Sequence, residues 1–285
     1  MRILNSAVIQ KVVARLCIQA NTQLRPDVLS TLKEAYRREN KARAKEILGA
    51  IIRNAAIARR ENLAICQDTG FPIVFAELGD NVKIVGDLKT AINKGVEAGY
   101  KNGYLRNSIV NEPLSRGTPG YKPAIIHLDL VKGSNLRLTV LPKGFGCENK
   151  SKLKMFNPTA KIEEIKKFIV EAVKQAGPDA CPPYIVGVGI GGTVDYACFL
   201  AKKALLKKIK YQISKIKNTN QKSKISKLEK ELLSEINKLN IGPMGLGGKT
   251  TCLGINIETY PTHIAGLPVA VNISCHALRS ATVTI

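Results

Sequence analysis

Three cysteines occupy separate turns rich in glycine, proline and polar residues: Cys66, Cys181 and Cys275. Each turn places a thiol where the backbone is tight and a bound group can come close. Three thiolates are one ligand short of a closed four-cysteine zinc or iron–sulfur site. A metal centre with one open coordination position can act on a substrate. The three turns therefore indicate a catalytic metal centre rather than a structural one.

Four further cysteines bring the total to seven, an odd number with no paired framework. Unpaired thiols of this kind are typical of a reducing compartment, where cysteines bind metals. Cys147 lies in another glycine-rich turn, and spacing alone does not rank it below Cys275 as a ligand. Cys17 and Cys198 fall in predicted helices and Cys252 opens a predicted strand, so we interpret these three as core residues.

The chain length of 285 residues predicts one domain over 1–285, built as a single body or as two lobes. A chain of this size buries roughly three quarters of its unfolded surface, so it needs no disulfides. No apolar run approaches the roughly 20 residues of a membrane helix, and the first residues lack a signal-peptide core. These features predict a cytoplasmic protein with no membrane partner.

The net charge of +22 is unevenly placed, and the segment 201–240, with twelve lysines and three glutamates, holds +9 of it. Such a segment could attract nucleic acid, which makes a basic nucleic-acid-binding protein the alternative from a non-enzyme class. The segment has one aromatic residue, Tyr211, and no arginine, so it lacks stacking platforms and forked base-reading groups. We therefore interpret it as a solvated, helical, basic excursion without a nucleic-acid partner.

Apolar periodicity predicts a mainly helical first hundred residues and a mixed remainder. Helices are expected around 9–16, after Pro26, and over 41–60, 85–101, 162–176, 193–208 and 223–239. Strands are expected over 71–78, 124–130, 136–141, 184–190, 252–258 and 267–274. The turn signal at 132–135 predicts that the second and third of these strands form a hairpin. The expected fold is mixed α/β, with a helical N-terminal part packed with one or more α/β lobes around the cysteine turns.

Two glycine-rich runs match nucleotide-binding patterns incompletely. The run 187–192 lacks the acidic residue expected about 20 positions later, so we interpret it as a strand–helix turn whose N–H groups could face an anion. The run 245–251 resembles a phosphate-binding loop in the wrong register, because Pro243 stands where the first glycine is required. Lys249 stays a candidate for lining an anionic pocket.

Isolated histidines and arginines are weak signals by themselves. His263 and His276 lie in loop-like sequence, where a lone histidine is more often a hydrogen-bonded structural residue than a ligand or acid. Arg106 is by default a surface arginine. Beside the cysteine turns its guanidinium would instead form a two-pronged clamp for a carboxylate.

Five motifs occur together and in one order: Cys66-Gln-Asp-Thr-Gly70, Ala180-Cys-Pro-Pro183, Gly242-Pro-Met-Gly-Leu-Gly-Gly-Lys-Thr250, Pro261-Thr-His263 and Pro268-Val-Ala-Val-Asn272. In this combination the chain resembles class I, iron–sulfur-dependent fumarases and the related tartrate dehydratases. The resemblance covers nearly the whole chain, and the combination is specific although each motif alone is not.

The resemblance implies a [4Fe-4S] cluster held by Cys66, Cys181 and Cys275 between the lobes, with its fourth iron open to a small dicarboxylate. It implies catalytic roles for Gln67 and Asp68, and for His263, which would reach the substrate across a subunit interface. The residues expected to bind substrate are Arg106, Gly144, Gly146 and Lys249. Lys249 is the residue named above as a candidate for lining an anionic pocket.

Two departures from the family pattern matter. Cys147 stands where the family's glycine turn often carries serine, which leaves a spare thiol near the cluster. The chain stops at Ile285, whereas one-chain members continue into a second domain that provides a catalytic threonine base. We therefore expect the α subunit of a split enzyme, inactive alone and completed by a β subunit as an α2β2 heterotetramer.

The predicted reaction is reversible hydration of fumarate to (S)-malate. An L-tartrate dehydratase α subunit is the alternative, since it would use the same cluster on a substrate with one more hydroxyl. A structural zinc or redox-sensing protein is a third possibility, to be distinguished by the metal that the protein carries.

Overall fold

A computed structural model describes residues 1–209 and 220–285 of the chain. The chain divides into two compact units. Unit 1 comprises residues 1–25, 54–145 and 279–285, and unit 2 comprises residues 26–53 and 146–278. Within the described ranges, no helix is both long enough and apolar enough to cross a membrane.

The described elements are a mixture of helices and strands. In chain order they are β1 (Arg2–Asn5), α1 (Ser6–Thr22), α2 (Pro26–Arg38), α3 (Ala42–Glu61), β2 (Phe71–Gly79), β3 (Val82–Val85), α4 (Leu88–Asn102), β4 (Ile125–Val131), β5 (Leu136–Lys143), α5 (Phe145–Glu148), β6 (Lys152–Phe156), α6 (Ile162–Ala176), β7 (Tyr184–Gly192), α7 (Val194–Ala204), α8 (Asn220–Lys238), β8 (Cys252–Thr262), β9 (Leu267–Ser274) and β10 (Ala281–Thr284). The predicted mixed α/β class is confirmed.

Unit 1 contains a four-stranded sheet in the order β10-β5-β2-β4. Strand β2 is buried along most of its length and pairs with β4 in parallel and with β5 in antiparallel orientation. The predicted hairpin of β4 with β5 is therefore wrong. The largely apolar strand β2 lies between them, because a strand buried on both faces bonds to neighbours on both edges.

Helices α1 and α4 cover the core of unit 1. Asn5 caps α1 by accepting the Ala7 N–H, and the buried face of α1 packs with β5 and α4. Gly95 and Gly99 let the two helices approach closely. A Cβ on Gly99 would lie 2.6 Å from the carbonyl oxygen of Ala14. Large side chains at these positions are therefore excluded by sterics.

Unit 2 is built on a second four-stranded sheet, in the order β6-β9-β7-β8. Strand β7 pairs in parallel with β8 and in antiparallel orientation with β9. Helices α6 and α8 pack together, and their buried residues share one apolar core with β7, β8 and β9. This core includes Ile169, Val173, Leu232 and Ile236.

The glycine run at 187–192 lies within β7, not in a strand–helix turn as predicted. Helix α7 crosses directly over this strand, and a Cβ on Gly187 or Gly189 would collide with the carbonyl oxygens of Ala201 and Ala197. These two glycines are therefore explained by the close approach of helix to strand, without any bound anion.

The N-terminal helices do not form a separate helical part, which corrects that prediction. Helices α1 and α4 belong to unit 1, whereas α2 and the start of α3 belong to unit 2. The two helices predicted within the basic segment 201–240 and just before it are present as α7 and α8. The stretch that joins them lies largely outside the described residues.

Candidate active site

Asp68 is the centre of a hydrogen-bonded turn in unit 1. Its Oδ1 accepts the Gly70 N–H at 3.0 Å, and its Oδ2 accepts the Phe145 N–H at 2.8 Å. Gly144 lies against the same carboxylate, because a Cβ on Gly144 would stand 3.2 Å from Oδ2. The structure thus brings together two predicted site residues, Asp68 and Gly144, from segments far apart in sequence.

The residues after Asp68 anchor this turn to the core of unit 1. The Thr69 hydroxyl accepts the Arg106 N–H at 3.0 Å, and the Tyr100 hydroxyl lies within 3.0 Å of the Thr69 and Gly70 carbonyl oxygens. Burial raises the pKa of Tyr100, which keeps the phenol protonated as a hydrogen-bond donor. The backbone at Arg106 and the backbone of the turn are therefore held to one another.

Gly70 closes the turn in a way that other residues cannot. Its φ is +78°, and a Cβ would lie 2.6 Å from the carbonyl carbon of Pro142. A side chain would be strained by the backbone conformation and would collide with β5. This requirement explains why glycine follows Thr69.

Arg279 supports the same turn from inside unit 1. It is only 3% exposed, and its Nη2 donates to the Asp68 carbonyl oxygen at 2.6 Å. Its Nε and Nη1 have no hydrogen-bond partner among the residues that the structure describes. A buried guanidinium with spare donors is unusual, and here it directs one hydrogen bond onto the backbone of a predicted catalytic residue.

Three further predicted residues, Cys66, Gln67 and Arg106, lie in this turn or beside it. Cys66 is half-buried, and its Sγ lies 3.4 Å from Oε1 of Gln67. The side chains of Gln67 and Arg106 are exposed. Their backbones are fixed by the turn, so the polar ends of both side chains can meet a ligand in solvent.

In unit 2 the turns that carry Cys181 and Cys275 are hydrogen-bonded neighbours. The carbonyl oxygen of Cys181 lies 3.0 Å from Nδ1 of His276, the residue after Cys275. Because a carbonyl only accepts, Nδ1 of His276 carries the proton in this contact. Cys181 has a φ of +56°, a left-handed conformation that is rare outside glycine and is typical of functional sites.

Cys147 also belongs to unit 2, and it is buried beneath the Cys181 turn. It is 6% exposed, and its Sγ–H donates to the carbonyl oxygen of Ala180 at 3.4 Å. This thiol belongs to the apolar core of unit 2 and supports the segment that carries Cys181. Packing therefore accounts for a cysteine at this position.

Burial separates the seven cysteines into groups. Burial raises the pKa of both Cys17 and Cys252 to about 12, so these thiols stay protonated at neutral pH. Cys198 is exposed, so its predicted place in the core is wrong, whereas Cys66, Cys181 and Cys275 are half-buried. Thiols that are reachable without being fully solvated suit metal ligation, and the chemistry of this donor set fits an iron–sulfur or zinc centre.

The three predicted ligands belong to different units, with Cys66 in unit 1 and Cys181 and Cys275 in unit 2. Over residues 1–209 and 220–285, no group of three or more His, Cys, Asp or Glu residues could hold a metal ion. The ligand set therefore stays a prediction that rests on the chemistry of the three thiols.

His263 lies in the exposed loop that joins β8 to β9 in unit 2. Its Nδ1 accepts the Ala265 N–H at 3.2 Å, which leaves the other ring nitrogen directed away from this bond. Ile264 beside it is 88% exposed. The loop thus presents an imidazole and an apolar side chain to solvent.

Lys249 lies in a loop that is held by a buried carboxylate within unit 2. Glu39 is 2% exposed and accepts the Lys249 N–H at 2.7 Å through Oε2. Its Oε1 accepts the N–H groups of Asn40 and Lys41. The anion that the backbone N–H groups of this loop bind is therefore the Glu39 carboxylate. The Lys249 ammonium lies 3.4 Å from the Arg38 carbonyl oxygen.

Three positioning residues escaped the sequence analysis: Glu39, Tyr100 and Arg279. Each is buried and each bonds to the backbone of a segment that carries a predicted site residue. Their signal in the sequence is weak, because a buried arginine or glutamate cannot be distinguished by type from one on the surface. The position of Arg279, four residues after Cys275, is the one available clue.

Comparison with known proteins confirms the predicted family. Residues 10–284 match the model of the family described as fumarate hydratase (Fumerase). A provisionally named L(+)-tartrate dehydratase subunit alpha of Methanocaldococcus jannaschii is 40% identical over 280 residues, which is 96% of each chain. The L(+)-tartrate dehydratase subunit alpha of Escherichia coli strain UTI89 is 29% identical over 279 residues, 96% of this chain and 90% of the relative.

The match to the family model runs through all three cysteine turns and through the Asp68 turn. The relatives cover almost the whole chain, so the similarity is not confined to one unit. On these grounds the chain belongs to the fumarate hydratase (Fumerase) family of hydro-lyases, which includes tartrate dehydratase α chains.

Proposed function

We propose that this chain is the α subunit of an iron–sulfur hydro-lyase that removes water from a small hydroxydicarboxylate, with L(+)-tartrate as the first candidate. The observation that carries the proposal is the 40% identity, over 96% of both chains, to a relative named as a tartrate dehydratase α subunit. The conformations of the Cys66 and Cys181 turns also support it, because each turn carries a thiol suited to metal ligation.

The proposed ligands of a [4Fe-4S] cluster are Cys66, Cys181 and Cys275, the three half-buried thiols of the chain. When bound, a cluster with three protein ligands supplies a Lewis-acidic iron that assists the departure of hydroxide. The His276 contact to Cys181 keeps two of the ligand turns of unit 2 together.

Asp68 is proposed to hold a substrate hydroxyl or its proton. Each carboxylate oxygen already accepts one backbone N–H, and each keeps further acceptor capacity. Two backbone donors, together with the Arg279 bond to the carbonyl, fix the direction in which the carboxylate faces. Gln67 beside it offers an amide that can both donate and accept.

Recognition of the substrate carboxylates is assigned to the basic and N–H-rich positions. The exposed Arg106 guanidinium is suited to a two-pronged carboxylate contact, on a backbone held by Thr69. Gly144 and Gly146 flank Phe145 and would offer backbone N–H groups. His263 and Lys249, both exposed in unit 2, are proposed as further contacts to substrate.

Completion of the site is assigned to a second polypeptide. The relatives are named as α subunits, so we propose a β subunit for this chain and an α2β2 assembly in the cytoplasm. Removal of water also requires a base that takes a proton from carbon. We assign this base to the β subunit, so the α chain alone should be inactive.

Interconversion of fumarate and (S)-malate is the second candidate, because the matching family model carries the description fumarate hydratase. Tartrate and malate each present two carboxylates, and each loses water in the same kind of elimination. Tartrate has one more hydroxyl than malate, and the site must either form a hydrogen bond to that hydroxyl or leave it without a partner. A polar site that bonds a substrate hydroxyl can reject the analogue without it by a factor of roughly 10⁴.

The deciding experiment is an anaerobic assay of the assembled complex of this chain with its β subunit. The ratio of kcat/KM for L(+)-tartrate to that for (S)-malate should exceed about 100 if tartrate is the substrate. A ratio below 1 assigns the fumarate–malate reaction instead. Activity on neither substrate, in a complex that carries its cluster, would contradict the proposed reaction class.

A further inference from the structure

Strand β4 forms an edge of the unit 1 sheet and exposes apolar side chains along its length. It pairs with β2 on one side, and no other described strand pairs with it. Leu128 is 54% exposed and Leu130 is 72% exposed, and Ile125 and Val131 at the strand ends are 43% and 37% exposed. Free apolar edges of this kind are sites for pairing with another chain.

The charge of this strand does not oppose its pairing with a second copy of the chain. The chain carries a net charge of +22, yet the seven residues of β4 contain no lysine or arginine. Natural edge strands are commonly protected by lysine or proline within the strand, and β4 has neither. Repulsion between two copies of so basic a chain is weakest at such a segment.

We propose that β4 binds β4 of a second copy of this chain in antiparallel orientation, about a twofold axis at Leu128. The two four-stranded sheets then join into one sheet of eight strands. The inference is independent of the proposed reaction, because it rests on unit 1 alone.

The register follows from symmetry. A twofold axis perpendicular to the sheet keeps each face on its own side, so the axis must pass through a residue rather than between two residues. An axis at Asp129 would place two carboxylates directly opposite each other, which is destabilising. An axis at His127 would place Ile125 opposite Asp129, an apolar group against a charge.

An axis at Leu128 avoids both conflicts. His127 then faces Asp129 of the other copy on one face of the sheet, a pair of donor and acceptor. Both residues have interactions within their own chain, and the register requires only that groups of complementary character face each other. On the opposite face Leu128 meets Leu128, and Ile126 meets Leu130.

The order of residue types therefore reads the same from either end of the strand. Ile125 and Val131 also fall opposite each other in this register. A mirrored pattern of two apolar residues, a polar residue, a central leucine, a polar residue and two apolar residues fits a second copy. An unrelated partner would not require such symmetry.

Cysteine cross-linking of the full chain tests the register directly. Opposite residues in an antiparallel pair have Cα atoms about 4.5 to 5.5 Å apart, within disulfide reach. Leu128→Cys should therefore give a covalent dimer under mild oxidation with copper phenanthroline. Leu130→Cys is the matched control on the same face, because its two copies would lie about 14 Å apart, four residues along the strand.

Sedimentation of the full chain tests the association itself. The wild type should sediment at twice the monomer mass of 31.0 kDa. Leu128→Lys should shift it to monomer, whereas Leu114→Lys, at an exposed position outside β4, should not. Circular dichroism shows whether each variant is folded.

Several results would overturn the proposal. These are a monomeric wild type, a dimer that survives Leu128→Lys, or a disulfide that forms at position 130 but not at 128. Loss of β-subunit binding in Leu128→Lys, with the α chain monomeric throughout, would assign the strand to the β subunit. The assay with tartrate and malate is unaffected by these results, so failure of one proposal does not count against the other.

Discussion

At the scale of single residues, the chemistry depends on how the backbone around Asp68 is held. Asp68 accepts two backbone N–H groups, and Arg279 donates to its carbonyl oxygen. Gly70 belongs to the same motif as Asp68, but Phe145 and Arg279 lie 77 and 211 residues away in sequence, so the motif did not identify them as partners of Asp68. Residues that fix a site through backbone contacts leave no characteristic side-chain pattern in sequence.

The two acceptor oxygens of Asp68 give the first prediction. Asp68→Asn leaves one oxygen and turns an amide N–H₂ toward the second backbone donor. The Phe145 N–H lies at an exposed site where water can replace the lost acceptor, so the free energy of unfolding should fall by about 0.5 to 1.5 kcal/mol, the net contribution of one hydrogen bond. Denaturant titration at neutral pH measures this change.

Asp87→Asn is the matched control for this substitution. Asp87 caps α4 by accepting the Thr90 N–H at 2.6 Å through one oxygen, and asparagine caps a helix as well as aspartate. We expect a change below about 0.5 kcal/mol. Equal effects of the two substitutions would show that the second acceptor of Asp68 contributes nothing.

Thiol reactivity gives a second prediction. Because burial raises the pKa of Cys17 and Cys252 to about 12, iodoacetamide at pH 8 should leave both unmodified in the folded protein. In cluster-free protein the exposed Cys198 and the half-buried Cys66, Cys181 and Cys275 should react first. Assembly of the cluster should protect the last three but not Cys198. Peptide mass spectrometry reads each site, and early labelling of Cys17 would contradict the burial described for it.

At the scale of secondary structure elements, periodicity predicted each described helix of more than ten residues. Four short strands were missed, β1, β3, β6 and β10, because four or five residues are too few for an alternating pattern to stand out. The hairpin prediction failed for a different reason. Neighbours in sequence are usually neighbours in a sheet, but the apolar strand β2 took the position between β4 and β5.

The close contact of α1 with α4 gives a third prediction. Gly99→Ala improves helix propensity by up to about 1 kcal/mol, yet its Cβ would meet the Ala14 carbonyl at 2.6 Å. We expect net destabilisation of about 1 to 3 kcal/mol from overpacking. Gly49→Ala in α3, where the nearest atom is a tyrosine ring carbon at 3.3 Å, should be neutral or stabilising. Stabilisation by Gly99→Ala would contradict the helix packing.

Ion pairing of α4 gives a fourth prediction, which concerns acid stability. Hydrogen bonds from Lys101 and Lys122 lower the pKa of Glu97 from 4.5 to about 2. Since the folded-state pKa is depressed, this stabilisation is present above pH 4.5 and is lost as the pH falls from 4.5 toward 2. Glu97→Gln should flatten the decline of stability over that interval. The effect is small because the pair is near the surface, and an unchanged slope would refute it.

At the scale of the whole molecule, the sequence identified the family through the order of its motifs. The family membership was confirmed over residues 10–284, whereas the prediction of fumarate as substrate is less well supported than tartrate. Specificity depends on side chains that surround the substrate, and we place some of these on a second polypeptide. The sequence of this one chain therefore identifies the class of reaction more clearly than it identifies the substrate.

The division into two units also explains what the motifs could not reveal. The helical N-terminal segment is shared between the units, and unit 1 is completed only by the last seven residues, 279–285. Arg279 begins that final segment, directly after the Cys275 region. A linear reading of the chain does not indicate that its end returns to the sheet of β2 and β5.

The most direct test of the account is the iron and sulfide content of anaerobically purified protein, with its electron paramagnetic resonance spectrum. The wild type should contain about four irons per chain, and Cys66→Ala, Cys181→Ala and Cys275→Ala should each lose the cluster. Cys147→Ala should retain it, because Cys147 is buried in the core and bonds to Ala180. A wild type without iron, or a cluster that needs Cys147 instead of Cys275, would contradict the ligand assignment and with it the proposed chemistry.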